Sequence, residues 1–284
     1  MNTYEQRKMK RPYEDIYVYN IQGEVSDDAE NILGETFLGN WVEDDSSFLF
    51  FSANSDRMIS ELLKRYSGLI LLDDYHFSYE EWQGGEFDTV RIGRFVITPP
   101  WRDLNHEIGE IGVVLDPGVV FGTGLHPTTR SCLRALLCLH EIFAFQKVLD
   151  LGTGTGILAV AAAALGASEV TALDLNPLAV KTARKNIILN GFEKRIDVIK
   201  DRAESYMNRA VELLIANIHY DVIKGLFEQK RISEIKWFII SGLMRSQALE
   251  FRDSLKKKGI EIKREWDHEM TWYTFLLRKI GPRG

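Results

Sequence analysis

The chain has 284 residues, 45% of them hydrophobic, which is enough to bury a core in one large or two smaller domains. No apolar stretch approaches the length of a membrane span, which argues against a helical membrane protein. The first residues lack the apolar region of a signal peptide, so we expect a cytoplasmic location. Cys132 and Cys138 are six residues apart on one predicted helix, a spacing that suggests neither a disulfide framework nor a metal site.

The formal net charge of −6 conceals an uneven distribution of charge. Residues 12–88 contain eighteen Asp and Glu against three Lys and Arg, whereas the rest of the chain carries 23 acids and 32 bases. So acidic a segment would repel a phosphate backbone, and direct nucleic-acid binding is therefore not expected. It suits the docking of a basic protein, whose approach it would steer, although an acidic surface kept for solubility would have the same composition.

Residues 1–78 are predicted to form a small α+β domain of the ferredoxin-like kind, in which strands and helices follow the order β-α-β-β-α-β. The predicted elements are a strand over Asp15–Gln22, a helix over 26–37, hairpin strands over 39–43 and 47–52, a helix over 54–66 and a strand over 69–72. This segment contains no catalytic constellation. Substrate docking is therefore its best interpretation.

Residues 79–110 contain Gly84-Gly85 and Pro99-Pro100 and are predicted to be a linker partly packed on the second domain, residues 111–284. From Val114 onwards helices alternate with apolar strands, which predicts a mostly parallel, doubly wound sheet of seven strands. The last two strands are only three residues apart and should pair as a hairpin, because a parallel crossover needs more chain. The predicted strands are Lys147–Leu151, Glu169–Asp174, 195–200, 211–217, 237–241, 260–267 and 271–278.

The run 147–156, Lys-Val-Leu-Asp-Leu-Gly-Thr-Gly-Thr-Gly, joins a buried strand to an apolar helix through Gly152, Gly154 and Gly156. Such a turn lets the backbone approach a ligand closely. Its glycines can also be aligned, imperfectly, with the dinucleotide-binding motif. Asp150 would repel a pyrophosphate, however, whereas it would attract the amino group and sulfonium of S-adenosylmethionine. The methyl-donor interpretation is therefore favoured. A glycine turn without a ligand would leave Asp150 and the second strand-end acid, Asp174, unexplained.

A second motif, residues 115–129, reads Leu-Asp-Pro-Gly-Val-Val-Phe-Gly-Thr-Gly-Leu-His-Pro-Thr-Thr. Together with the glycine turn, this motif closely resembles the PrmA-like family of ribosomal protein L11 methyltransferases. The resemblance continues through Asp174-Leu-Asn-Pro, Ala216-Asn217-Ile218 and Ser241-Gly-Leu, and it covers residues 80–279. It implies a class I methyltransferase domain, S-adenosylmethionine as cofactor and a basic protein as substrate, with a ribosomal protein as the favoured candidate.

Ligands of open α/β sheets bind beyond the carboxyl ends of the strands, which predicts one crevice for the candidate residues. Asp174 would accept hydrogen bonds from the ribose hydroxyls. By resemblance, Asp201 would border the adenine, and Thr123 and Thr129 would cover the methionine end. The full cofactor-binding prediction comprises Thr123, Thr129, Asp150, Gly152, Thr153, Gly154, Gly156, Asp174, Asp201 and Asn217. His126 is interpreted as a structural residue that orders the start of a helix.

Asn217 is the predicted catalytic residue, because its side-chain carbonyl could accept a hydrogen bond from an attacking amine and position it. The sequence departs from the family directly afterwards, since His219-Tyr220 replaces an apolar-Ala pair. Both side chains would border the acceptor channel, and His219 could serve as a base. The favoured function is methylation of lysine or N-terminal amines of a ribosomal protein. A methyltransferase for another protein or a small molecule, and a non-catalytic cofactor-binding protein, stay open.

Overall fold

The small acidic domain is built on an antiparallel sheet with strand order β2-β3-β1-β4. In the computed structural model, the described residues are 11–43, 45–206 and 210–280, so residues 1–10 of the predicted domain lie outside them. The elements are β1 (Asp15–Gln22), α1 (Asp27–Glu30), β2 (Phe37–Glu43), β3 (Ser46–Phe51), α2 (Asp56–Arg65) and β4 (Ile70–Ser78). Their order is the predicted β-α-β-β-α-β.

Two elements of this domain differ from the prediction. The helix expected over residues 26–37 ends at Glu30, and turns lead from there to β2. Gly34 has a left-handed φ of 71°, and Leu33 is fully buried, so a tight turn buries the apolar residues that suggested a helix. Strand β4 is also longer than the predicted 69–72, because it pairs with β1 from Ile70 to Ser78, with a bulge at Leu72.

The two faces of this sheet have different neighbours, as the alternation along β1 predicts. Tyr19 and Ile21 pack under α2 in the core of the small domain. Ile16 and Val18 point to the other face and join a buried cluster with residues of the second domain, including Leu178. The two domains therefore share apolar packing through one face of the small sheet.

Residues 79–110, predicted as a linker, contain ordered elements. These are α3 (Tyr79–Gln83), β5 (Val90–Ile92) and β6 (Phe95–Thr98), and β6 pairs with β5 and with β7 (Ile111–Val114) in a three-stranded sheet. Phe95 and Ile97 are fully buried in the main core of the second domain. The segment thus packs on that domain as part of its structure.

The second domain contains a seven-stranded sheet with the order β10-β9-β8-β11-β12-β14-β13, which confirms the predicted doubly wound fold. Its strands are parallel except β14, which forms the predicted antiparallel hairpin with β13. Apolar clusters cover both faces of this sheet. The elements are α4 (Pro127–His140), β8 (Lys147–Leu151), α5 (Ile157–Ala164), β9 (Glu169–Asp174), α6 (Pro177–Leu189), β10 (Ile196–Lys200), β11 (Leu213–Asn217), α7 (Tyr220–Glu228), β12 (Trp237–Met244), α8 (Arg245–Lys257), β13 (Ile260–His268) and β14 (Trp272–Lys279).

Helices long and apolar enough to cross a membrane do not occur within the three described ranges.

Candidate active site

The order of the parallel strands places a crevice between β8 and β11. From β8 the chain moves outwards through β9 to β10, then returns to the other side of β8 to form β11 and β12. Helices on opposite faces consequently diverge at this point, which leaves the carboxyl ends of the strands accessible to a ligand. The strands β8, β9 and β11 end there at Leu151, Asp174 and Asn217.

The glycine turn after β8 is held closely from two sides. Gly152, Gly154 and Gly156 all have left-handed φ angles, of 68°, 56° and 83°. A Cβ atom on Gly152 would collide with the side chain of Ile218, and one on Gly154 would collide with the carbonyl oxygen of Phe121. Only glycine satisfies both conditions, so the turn forms a closely packed backbone cradle, the glycine cradle, at the head of α5.

Asp174 connects this turn to the neighbouring strand. The backbone N–H of Gly154 donates to its Oδ2 at 2.9 Å, and that of Asn176 donates to its Oδ1 at 3.0 Å. Burial raises the pKa of this carboxyl above its ordinary value. A carboxylate offers about four acceptor positions, so Asp174 can still accept a hydrogen bond from a ligand.

Asp150 lies deeper than Asp174 and is only 1% exposed. The Thr153 hydroxyl donates to its Oδ2 at 2.6 Å, whereas Oδ1 has no hydrogen-bond partner. Burial, offset in part by that hydrogen bond, raises its pKa to about 7. A buried acceptor without a donor is costly, so this carboxylate would be stabilised by a cation or by an N–H donor.

A second unpartnered oxygen lies on helix α4. Thr129 is 1% exposed on α4, and its Oγ1 makes no hydrogen bond. One turn further along α4, Cys132 is close enough to Asp150 for the carboxylate to contribute to the raised pKa of its thiol, although burial is the main cause. In the described part of the chain, four buried side-chain atoms lack partners, and Thr129 and Asp150 supply two of them.

These observations fit a ligand that carries a positively charged amino group. An ammonium group has three N–H donors, and Asp150 before the glycine turn has an oxygen that lacks a donor, as has Thr129 on α4. The same residues are poorly suited to a pyrophosphate, because Asp150 would repel it. The methionine end of S-adenosylmethionine has the required charge and donors.

The peripheral candidates are arranged around this centre. The N–H of Asp201 donates to the backbone oxygen of Asp174 at 3.2 Å, and its carboxylate accepts from the N–H of Arg202 at 2.6 Å. Thr123 is half-buried, and its hydroxyl accepts from the N–H of Leu125 at 3.4 Å. Asp201 therefore lies beside Asp174, while Thr123 belongs to a turn at the edge of the loop before α4.

Asn217 is half-buried at the end of β11, opposite Ser241 of β12. Its surroundings depend on Gly242, whose φ is 87°. A Cβ atom there would lie 2.8 Å from the Ile218 carbonyl oxygen and 3.4 Å from the Asn217 Oδ1. Gly242 thus leaves room for the asparagine amide, a supporting role that the Ser241-Gly-Leu motif signals.

The expectation that Tyr220 borders the acceptor channel is wrong. Tyr220 is 6% exposed and packs against Phe251, with ring centroids 6.4 Å apart. It begins α7, and the helical period places it on the same buried face as Ile223 and Phe227. His219 precedes the helix and is exposed, so it stays available as a base.

Other residues near the crevice were not predicted from the sequence. Leu175 follows Asp174 directly and is 58% exposed, so it offers an apolar surface beside the carboxylate proposed to hold ribose. Phe121, His126 and Trp272 form an aromatic group, with centroid distances of 5.1 and 5.3 Å. The predicted structural role of His126 agrees with its contacts, since its Nδ1 accepts from the N–H of Thr128 at the start of α4.

The sequence matches one protein family over most of its length. The profile of the family described as "Ribosomal protein L11 methyltransferase (PrmA)" matches residues 51–279. A ribosomal protein L11 methyltransferase of Carboxydothermus hydrogenoformans is 35% identical over 235 residues, which are 80% of this chain and 76% of that protein. One of Heliobacterium modesticaldum is 35% identical over 198 residues, 69% of this chain and 62% of that protein.

A solved structure supports the same relationship. The ribosomal protein L11 methylase of Lactobacillus delbrueckii subsp. bulgaricus superimposes with a TM-score of 0.61 and 26% identity. The alignment covers 68% of this chain and 100% of that one.

Proposed function

The chain belongs to the ribosomal protein L11 methyltransferase family, and from that premise we propose that it methylates ribosomal protein L11 with S-adenosylmethionine as methyl donor. The observation that carries the cofactor assignment is the unpartnered buried oxygen of Asp150, whose other oxygen accepts from Thr153 of the glycine turn, and Thr129 Oγ1 on α4 is a second unpartnered oxygen. The acceptors are amines, namely lysine side chains, the N-terminal amine or both. A cytoplasmic location follows as part of this proposal.

Different residues are proposed to hold the methionine part of the cofactor and its ribose and adenine. Asp150 and Thr129 would hold the amino group of its methionine part, and Asp174 would accept hydrogen bonds from its ribose. The exposed side chain of Leu175 and the neighbouring Asp201 would border the adenine. When bound, S-adenosylmethionine supplies an electrophilic methyl group on a sulfonium.

Asn217 is the residue proposed to place the acceptor. Its amide oxygen lies at the end of β11 beside the cradle and can accept one N–H of a neutral amine. The nitrogen lone pair would then be directed at the methyl carbon, so that the N–C bond forms as the S–C bond of the sulfonium breaks. S-adenosylhomocysteine would leave as a neutral thioether, and the ammonium product would release a proton to solvent. Positioning of this kind contributes several kcal/mol because it removes the entropic cost of alignment.

The acidic domain is proposed to dock the substrate protein. Residues 12–88 carry an excess of fifteen negative charges, and many of these side chains are exposed. Ribosomal proteins that contact RNA are basic, so this surface would accelerate their encounter with the enzyme.

The test is transfer of isotope-labelled methyl groups to purified ribosomal protein L11 of the same organism, with the modified nitrogens identified by mass spectrometry. We expect labelled L11 with the intact chain and strongly reduced labelling with Asp174→Ala. The matched control is Asp197→Ala, which removes an exposed carboxylate from the adjacent strand. Unlabelled L11, with label appearing on another species of a whole-cell extract, would contradict the proposed substrate.

A further inference from the structure

Strand β4 lies at an edge of the small sheet and has a bulge at Leu72. Its neighbour among the described strands is β1, on one side only. Seven of its nine residues, Ile70 to His76, are exposed, and among them Ile70 is 56%, Leu72 53% and Tyr75 41% exposed. A long edge strand with apolar side chains is a template for pairing with another strand, and stable monomers rarely leave one uncovered.

The charge of this edge selects the kind of strand that can cover it. Asp73 and Asp74 lie at the middle of β4, and both are exposed. A second copy of the same strand would place these carboxylates opposite or close to each other, which is unfavourable. A basic strand would instead bring opposite charges together. The occupant that fits β4 is therefore a basic segment of another protein.

A groove lies beside this edge, between β4 and helix α2. It has a volume of about 400 Å³ and is lined by aromatic, acidic and apolar side chains. Tyr17 stacks on His76, with ring centroids 4.4 Å apart and an angle of 8° between the ring planes. Two residues further along β1, Tyr19 donates to the carboxylate of Asp56 on α2 at 2.7 Å, and Asp74, which pairs with Tyr19, adds a second carboxylate.

Aromatic faces and carboxylates together bind cationic side chains. A Lys or Arg side chain can place its methylenes and charge over the aromatic rings while its N–H groups reach the carboxylates. Alternate residues of an added strand point to the same face of a sheet. One side chain of a segment paired with β4 would therefore enter the groove on the α2 side.

We propose that the outer edge of β4 pairs with an extended basic segment of the substrate protein and that the groove between β4 and α2 holds a Lys or Arg side chain of that segment. This inference rests on the proposed function and names the docking element within the acidic domain. It assigns substrate affinity to β4, at a distance from the residues that hold the cofactor.

The first test is hydrogen exchange of the intact enzyme with and without purified ribosomal protein L11. We expect L11 to slow exchange of amides in Ile70–Ser78 by at least tenfold, because free edge N–H groups become hydrogen-bonded. The other edge of the same sheet, Phe37–Glu43, should keep its exchange rates and serves as the internal control. Protection of β2 instead of β4, or protection of β4 by a higher enzyme concentration alone, would overturn the proposal.

The second test is steady-state kinetics of L11 methylation by edge variants. Leu72→Lys should raise KM for L11 at least tenfold and leave kcat and cofactor affinity within twofold. Val42→Lys is the matched control, since Val42 is 42% exposed on the opposite edge strand. Asp74→Asn should also raise KM and weaken its dependence on salt, whereas Asp28→Asn, an exposed acid away from β4, should change neither.

The outcomes separate docking from function. Equal KM values for Leu72→Lys and Val42→Lys, with the intact enzyme active on L11, would overturn the docking proposal and leave the function standing. Protection of β4 by L11 without methylation would contradict the proposed function and support the docking element. If L11 neither protects β4 nor is methylated, the docking proposal and the proposed function are both contradicted.

Discussion

Asp150 and Asp174 lie near the ends of neighbouring parallel strands, in surroundings that disfavour their negative charge. Burial is the main cause of the raised pKa of each, and the charge of Asp174 also raises that of Asp150. Two carboxyl groups with raised pKa values therefore lie on neighbouring strands, which is common where a ligand of opposite charge completes the site. Three predictions follow from individual side chains.

The first concerns Asp174. Its replacement in Asp174→Ala should weaken cofactor binding by about 1–3 kcal/mol, the usual cost of losing a hydrogen bond to a charged group. Calorimetric titration of the folded variant measures the effect. The exposed Asp197→Ala should bind normally, and unchanged affinity in Asp174→Ala would remove this residue from the site.

The second concerns the pH dependence of Asp150. Its pKa is about 7 in the folded protein and close to 4 when unfolded, so its contribution to stability is complete below pH 4 and is lost as the pH rises through 7. The loss is up to about 4 kcal/mol by linkage. Asp150→Asn should therefore lose less free energy of unfolding between pH 5 and 8 than the parent chain.

Denaturant titrations at the two pH values measure this difference, with Asp197→Asn as control. Cofactor affinity should increase as Asp150 ionises, because a bound cation favours the ionised carboxylate. It should rise between pH 6 and 8 in the parent chain and stay flat in Asp150→Asn. Parallel stability curves for both proteins would show that Asp150 does not titrate in this range.

The third concerns Asn217 and the protonation of the acceptor. At pH 7.4 roughly one lysine in a thousand is neutral, against roughly a quarter to a third of N-terminal amines. If Asn217 only positions the amine, rates on lysine should climb well past pH 8, and rates on an N-terminal amine should level off near its own pKa. Asn217→Ala should lower kcat on both and keep cofactor affinity within a few fold.

A general base at His219 would change the expected pH dependence of lysine methylation. It is exposed beside Asn217, at the start of α7. Lysine rates that are flat above pH 7 in the parent chain and become pH-dependent in His219→Ala would show that His219 acts as a general base. Positioning would then not be the main catalytic contribution.

At the scale of elements, the glycine turn between β8 and α5 is fastened to both neighbouring segments. The N–H of Thr155 donates to the carbonyl oxygen of Phe121 at 3.1 Å, and the hydroxyl of Thr155 donates to the carbonyl oxygen of Gly122 at 2.5 Å. Asp174 holds the same turn from β9. The turn is therefore preorganised, which lowers the entropic cost of binding a ligand.

Gly154→Ala tests this arrangement. The added Cβ meets the carbonyl oxygen of Phe121 and the residue has a φ of 56°, so we expect both a loss of stability and a loss of cofactor binding. Gly191→Ala is the control, because its φ is 70° and nothing lies within 4 Å of the added Cβ. It should lose about 1–2 kcal/mol through backbone strain and bind the cofactor normally. Similar cofactor affinities in the two variants would show that the close approach is unimportant.

At the scale of the whole molecule, the loop before α4 lies between the two domains. Val119 and Val120 pack with Ile16 and Val18 of the small domain, while the next residue, Phe121, accepts the hydrogen bond from the glycine turn. The small domain therefore covers a segment that supports the proposed cofactor site. Its division from the rest of the chain at residue 78 stays a prediction.

Deletion of residues 1–78 tests that division. The proposed cofactor contacts all lie beyond residue 115, so we expect residues 79–284 to bind the cofactor within a few fold of the parent affinity. Exposure of Val119, Val120 and Leu178 should lower Tm. Methylation of L11 should be lost with the docking domain. Methylation at the parental rate would show that the acidic domain is not needed for substrate binding.

The sequence alone determined the architecture of the second domain and the position of its crevice. Strands β8 and β9 have the predicted bounds because each is an apolar run that ends at polar or glycine residues, so local chemistry sets both ends. The motifs around Gly154 and Asn217 were recognisable because their chemistry depends on residue type and spacing.

Tertiary packing decided what local patterns could not. The helix predicted over 26–37 ends at Glu30, and the turns that follow it bury Leu33. Tyr220 lies in the core because α7 packs with that face inwards. The lack of hydrogen-bond partners at the buried oxygens of Thr129 and Asp150 was recognisable only in the folded structure, and the two residues are 21 positions apart in the chain. Burial and hydrogen-bond partners depend on such long-range neighbours, which periodicity along the sequence does not record.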